Sequence, residues 1–390
     1  MTKEKRFLLD VLKAFIHNEK LNFDTKLEWN ELIRLARINS VSGILSYIAM
    51  QNPCERTAPL ADSVKRSCFI NVALFTRRYE RTQQMLARLS DAGIDNMPFK
   101  GSIVRRYYPV PELRSFGDAD ILIKREDRER CHKLMFEQGF TVVTDWEPVY
   151  SYKKGIEYYE LHTEMLEIDI SDKADCKSYF NTAWEHADKM GEHSFEPQPE
   201  FHFLYLLTHI AKHIRGSGAG IRMYLDLAVF IKHFGDGIDW QYVNEQLEAL
   251  KLKQFANTAL TVVERYFGVQ SPIDLEPISE ESLKNFMDFT FDGGLFGYVG
   301  RDSGVITLKK ADDGARVATI LRRLFPTADT IERRYTYLQG RHWLLPVAWA
   351  HRFFKTHDTW GAHAKEAKSI INADAAKVEE LKKIYEDLCL

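Results

Sequence analysis

Cysteine is scarce in this chain: Cys54, Cys68, Cys131, Cys176 and Cys389 are the only five among 390 residues. They are scattered, odd in number and never spaced C-x-x-C, so they read as reduced thiols of a cytoplasmic protein and not as a disulfide framework or zinc ligands. No apolar run approaches the roughly 20 residues that cross a bilayer, and MTKEKRFLLD lacks the apolar core and cleavage site of a secretory leader. No membrane is therefore expected. A surplus of one charge is missing too, since 53 basic against 56 acidic residues leave a net charge of −3. That balance is unlike a general nucleic-acid binder. What is present, 45% hydrophobic and 28% charged residues, describes an ordinary globular protein, and the length favours two or three packed units over one core.

The pattern of apolar residues divides the chain into four stretches. Residues 1–92 read as helical, with FLLDVLKAFI, WNELIRLARINSVSGILSYIAM and the run from Ala61 to Leu89 carrying apolar residues at spacings of three and four. Arg77, Arg78, Arg81 and Arg88 on that last helix read as a solvated face. Residues 93–192 change to strand-like segments: IDNMPFK, FGDADILIK, FTVVTDW, EPVYSYKK, YYELHTEM and LEIDIS, with GSIVRRYY and REDRERCHKLMFEQ as helices between them. A small mixed sheet with helices on one side is expected. Residues 193–275 return to helices, including the nearly all-apolar EFHFLYLLTHIAKHI and the pair GIDWQYVNEQLEALKLKQFANTALTVVERYFG, with Asp239 as its cap and Gly268 as its stop. Residues 276–390 open on a polar connector, ISEESLKNFMDFTFDGG, pass a glycine-containing loop and end in packed helices around Pro346. The fold class is α+β: a small mixed sheet flanked by large helical regions.

The chemistry concentrates in FKGSIVRRYYPVPELRSFGDADILIK, residues 99–124. Successive strand residues point to opposite faces, so Asp118 and Asp120 project to the same side. Two neighbouring carboxylates repel unless a cation lies between them, and a hard divalent metal, most simply magnesium, fits that demand. The Gly101-Ser102 turn supplies the complementary half, because glycine lets a phosphate approach the backbone and a following helix favours an anion.

Lys100-Gly101-Ser102, Tyr108-Pro109, Pro111, Arg114 and Asp118-Ala119-Asp120-Ile121-Leu122 together resemble the signature of the DNA polymerase beta-like nucleotidyltransferase superfamily, nearest to a branch of largely uncharacterised bacterial members. Fifteen residues separate Ser102 from Asp118, more than in the small members, with the extra length in YYPVPELRSF. The resemblance, carried further by Asp226-Leu227-Ala228 and the LFP…RY…LLP order, runs to about residue 360. It implies two magnesium ions, with manganese a possible substitute, held by Asp118, Asp120 and a third carboxylate on a later strand. It also implies a nucleoside triphosphate on Lys100, Gly101, Ser102 and Arg114, and transfer of a nucleoside monophosphate.

Two acids compete for the third position. Glu160 shares a face with His162 in YYELH, and Glu167 shares one with Asp169 in LEIDI; the strand patterns do not separate them. The resemblance favours Glu160 over Asp169, because the acid–apolar–histidine order of the family recurs in Glu160-Leu161-His162, although aspartate is more usual there. His209 and His213, four apart on one helical face, lack the glutamate of a zinc protease, since Ile210 stands in its place. With Asp226 they read as structural or rim residues without a metal or catalytic role. Gly216-Ser217-Gly218-Ala219-Gly220 follows a helix and not a strand, which makes it a flexible connection and not a dinucleotide loop.

The function expected is metal-dependent transfer of a nucleoside monophosphate to a hydroxyl of a small molecule or a protein, with release of pyrophosphate. The alternative is a catalytically idle nucleotide-binding or regulatory protein on the same scaffold.

Overall fold

In the computed structural model the described residues are 1–23, 26–53, 61–115, 117–167, 170, 174–297, 299, 303–308, 319–321, 324–332, 335–355 and 368–389. The chain divides into two compact units, Met1–Val299 with Leu388–Leu390, and Gly300–Asp387.

The first unit begins with four helices, α1 (Lys3–His17), α2 (Trp29–Ile38), α3 (Ser42–Gln51) and α4 (Ala61–Asp91). The single helical run expected from Trp29 onward is broken in two, because Asn39 turns its side-chain amide onto the Leu35 and Phe291 carbonyls and Ser40 takes a left-handed conformation. A central sheet follows, with β1 (Asn96–Pro98), β2 (Ala119–Ile123), β3 (Thr141–Trp146), β4 (Val149–Lys154) and β5 (Glu157–His162) in the order β1-β2-β5-β4-β3. Only the β2–β5 pair is parallel, so the sheet is mixed. The hairpin between β4 and β5 is closed by Gly155-Ile156, where Gly155 has φ +58, a conformation that an L side chain rarely adopts.

Strand alternation decides which residues are core and which are free for chemistry. Ala119, Ile121 and Ile123 of β2 and Tyr159 and Leu161 of β5 pack with Phe75, Met85 and Leu89 of α4 and with Cys131 and Met135 of α6 (Arg128–Glu137). Ile121 and Leu161 are fully buried, each stabilising by roughly 2–3 kcal/mol. The intervening Asp120, Glu160 and His162 therefore point to the opposite face. That face is covered as well: α8 (Pro199–Gly216) lays Tyr205 against Phe99, which also touches His162. Helices thus lie on both sides of the sheet, because the apolar circumference of α8 needs cover all round and finds part of it here.

Between these elements, α5 (Gly101–Val104) is only four residues long and passes into a 3-10 turn at Arg105–Tyr107, so GSIVRRYY makes no long helix. Its dipole is correspondingly slight, and the anion preference expected from it weakens. After α7 (Cys176–Phe180) and the two-stranded sheet of β6 (Ala187–Lys189) and β7 (Phe195–Pro197), helices α8, α9 (Ile221–Phe234), α10 (Trp240–Ala249) and α11 (Lys253–Phe267) pack together. Asp239 caps α10 and Gly268 ends α11 in the left-handed conformation, as expected. The glycine-rich connection from α8 to α9 is not an open loop. Ser217 to Gly220 are buried, and a side chain at Gly220 or Gly297 would strike backbone at 2.6 or 2.2 Å.

The expected connector ISEESLKNFMDFTFDGG is instead α12 (Glu280–Asp292). Ser279 caps it through the Ser282 N–H, and Leu283, Phe286, Met287, Thr290 and Phe291 form its buried face. Its polar residues occupy the other side. LEIDIS forms no strand where it is described, at Leu166, Glu167 and Ile170; Ile168, Asp169 and Ser171 lie outside the described residues.

The second unit includes helices Ser303–Leu308, Leu345–Lys355 and Ala375–Asp387 and a small core of Ile331, Tyr335, Leu338 and Ala348. Pro346 sits in the first turn of its helix, where a missing N–H costs nothing. Among the described residues no helix is long and apolar enough to cross a membrane, and the four described cysteines are free.

Candidate active site

Lys100 starts the site. Strand β1 ends at Pro98, the Phe99 N–H binds the Asp120 carbonyl at 3.2 Å, and Lys100 then takes φ 50, ψ −127. This is a region almost reserved for glycine, and a side chain held there costs about 1–3 kcal/mol. The strain aims the Lys100 ammonium across the sheet, 2.7 Å from Asp120 Oδ1. Burial works against that charge, but Asp120 more than compensates and keeps the ammonium well above its ordinary range.

Gly101 has a specific reason to be glycine. A Cβ there would lie 2.4 Å from Arg114 Nη1 and 2.9 Å from Nη2. The guanidinium cannot yield easily, because it forms two hydrogen bonds to Asp226, Nε to Oδ1 at 2.8 Å and Nη2 to Oδ2 at 2.9 Å, while Tyr108 donates to the same Oδ1 at 2.7 Å. Both charged side chains are under a tenth exposed. Burial opposes each charge and the partner restores it, so Arg114 is held above its usual range and Asp226 below. Next along the turn, Ser102 is buried and its hydroxyl has no partner among the described residues, while its N–H is turned to the Phe99 carbonyl at 3.3 Å.

The parallel pairing of β2 with β5 sets Asp120 directly opposite Glu160 and Leu122 opposite His162. Asp120 Oδ1 accepts from His162 Nε2 at 3.0 Å as well as from Lys100, and His162 Nε2 lies 3.7 Å from Glu160 Oε2. Since a carboxylate accepts this bond, His162 carries its hydrogen on Nε2, and its buried Nδ1 is a lone pair with no partner among the described residues. Burial would raise Asp120, but Lys100 and His162 hold it well below the usual carboxylate range. Lys100 acts on Glu160 less strongly than the groups that raise it. Burial, then Asp120 and Asp118, push its carboxyl up to about 7.

Asp118 precedes β2 at the open edge of this group. Its side chain reaches solvent, yet it lies deep enough among protein atoms that desolvation and then Asp120 raise its carboxyl. One ligand atom each of Asp120, Glu160 and His162 lie within 4.8 Å of one another; the two carboxylates suit a divalent cation, while His162 would have to give up the hydrogen on Nε2 to serve as a ligand there. Asp118 stands outside that cluster. Asp169, the competing third acid, lies outside the described residues.

Beyond His209 and His213, helix α8 brings to the site residues that no motif marks. Tyr205 lies close enough to act electrostatically on Lys100 while its hydroxyl donates to the Met165 carbonyl at 3.0 Å, and His202 Nε2 accepts the Lys100 N–H at 3.2 Å. His209 and His213 share a face, as their spacing requires, with Nε2 atoms 3.1 Å apart; burial keeps both rings neutral, His213 pushed down to about 4. Lys212, also lowered by burial, stands 3.7 Å from Glu167. Arg222 is half-buried near Arg114 and donates to the Ser115 carbonyl at 3.0 Å. No short-range spacing links residues 202–213 with residues 100–120; only the packing of an all-round apolar helix onto the sheet does so.

A turn strained at Lys100, two acids at the start of one strand and a third across a parallel pair together form the candidate site of the chain. No curated protein and no solved structure matches the chain. Residues 25–268, well over half the chain, match the model of a family described as uncharacterised nucleotidyltransferases, and the protein belongs to that family and is a nucleotidyltransferase.

Proposed function

We propose that the protein moves a nucleoside monophosphate from a nucleoside triphosphate to a hydroxyl acceptor, with magnesium held by Asp118, Asp120 and Glu160. The observation that carries this reading is the β2–β5 register, which places Asp120 opposite Glu160 on the face away from the core and leaves Glu160 raised to about 7 by burial and then by Asp120 and Asp118. With a cation beside it the carboxyl would be ionised at neutral pH and able to take up a proton. A divalent cation bound there supplies charge neutralisation between the carboxylates and polarisation of the phosphate oxygens.

The chain's own groups do the rest. Lys100 holds its ammonium on Asp120, Ser102 offers a hydroxyl with no partner among the described residues, and Gly101 with Arg114 behind it fixes the turn. The acceptor oxygen forms a bond to the α-phosphorus, the bond to the β-phosphate oxygen breaks with its electron pair leaving on pyrophosphate, and the acceptor proton passes to Glu160. Catalysis comes mainly from positioning and electrostatics.

Incubation of the protein with α-labelled ATP, CTP, GTP or UTP, magnesium or manganese, and cell extract tests the reading. Label on a small molecule or protein with wild type and none with Asp118→Asn supports it. Nucleotides that raise the melting temperature without any transfer favour an idle nucleotide-binding protein.

A further inference from the structure

Helix α8 reaches the Lys100 turn through a side chain with no place in the steps above. His202 is 1% exposed, and its Nε2 accepts the Lys100 N–H at 3.2 Å. An atom that accepts an N–H has no proton of its own, so the ring is neutral with its hydrogen on Nδ1. The groups facing it are consistent: burial, then Arg106 and Arg114, outweigh Asp226 and push the imidazolium down to about 3. Lys100 is thereby tied at two points. Its N–H is held by α8 and its ammonium by Asp120 at 2.7 Å, and between them the backbone keeps φ 50, ψ −127. A strained conformation persists only where its surroundings over-determine it. Without an acceptor for this N–H, the turn would relax and carry the ammonium away from Asp120.

We propose that His202 is a positioning residue for nucleotidyl transfer, holding Lys100 and the Gly101-Ser102 turn through the Lys100 N–H. The inference rests on the reading that this face of the sheet is the transfer site. A histidine that merely fills the core, edge-on to Phe230 at 5.8 Å, needs volume and shape but no acceptor atom. Leucine and glutamine separate the two roles, because leucine supplies volume without an acceptor and the glutamine carbonyl supplies an acceptor at similar reach.

The test compares wild type, His202→Leu and His202→Gln by amide hydrogen exchange at Lys100, by transfer kinetics and by ¹⁵N shifts of His202. In wild type, Nε2 stays unprotonated from pH 5 to 8 and the Lys100 amide is protected. In His202→Leu, Lys100 exchange accelerates at least about tenfold and kcat falls about 100-fold, while the nucleotide KM changes less. His202→Gln restores most of both. A leucine variant with wild-type exchange and kcat, or a glutamine variant no better than leucine, overturns the proposal. Should wild type transfer no nucleotide at all, the exchange and ¹⁵N results still decide whether His202 holds Lys100, so failure of the transfer reading stays distinct. Should the leucine variant not fold, a protonated Nε2 in wild type, or glutamine unable to protect Lys100, overturns it.

Discussion

Arg114 and Asp226, 112 residues apart, meet in a buried two-point ion pair at 2.8 and 2.9 Å that ties the loop before β2 to helix α9. Removing one partner leaves the other charged in a place without water. Asp226→Asn is expected to lower unfolding free energy by about 3–5 kcal/mol, measured by urea denaturation. Asp226→Asn with Arg114→Met should recover part of that loss, since breaking the pair costs more than omitting both charges.

Gly101→Ala brings a methyl group to 2.4 Å from a guanidinium that Asp226 holds in place. The turn or the ion pair must shift. A loss of about 1–3 kcal/mol is expected, together with a fall in transfer rate larger than that loss of stability explains. Equal activity at equal folded fraction would show that the turn has room to spare.

The two aspartates of the motif should behave differently on mutation. Asp118 is open to solvent, so Asp118→Asn should leave stability within about 0.5 kcal/mol of wild type while transfer falls by about 100-fold or more. Asp120 is the buried partner of Lys100 and His162, and Asp120→Asn leaves the ammonium without its counter-charge. That variant should lose activity and also melt several degrees lower, by calorimetry.

The raised carboxyl of Glu160 fixes a pH dependence. The folded protein binds this proton up to about pH 7, whereas the unfolded chain releases it near 4.5. Between those values the folded state binds more protons, so the stability contributed by this group is present below about pH 4.5 and is lost as pH rises to about 7. Glu160→Gln should flatten that part of the metal-free stability profile. The depressed Asp120 acts in the separate acid range, where stability falls as pH drops through its folded value.

The same proton competes with a cation. Manganese should raise the melting temperature of wild type more at pH 8 than at pH 5.5, and Glu160→Gln should remove most of that difference. A shift independent of pH would place the ion away from Glu160.

The sequence by itself determined the elements that obey a short period and the residues that share a strand face. Alternation in ADILI and EYYELH set Asp120, Glu160 and His162 opposite the core, and Asp239 and Gly268 marked helix ends where local chemistry demands them. The helix of residues 280–292 was hidden because its polar face and its opening Glu280-Glu281 outweighed a buried stripe whose Phe286 meets Tyr224 of α9. Only the tertiary structure decided that β2 pairs with β5 in parallel, that Arg114 lies against Gly101 and Asp226, and that His202 reaches Lys100. Pairings across 40 to 112 residues leave no period in the chain. They follow from which apolar faces bury each other, and that choice is made by the whole fold.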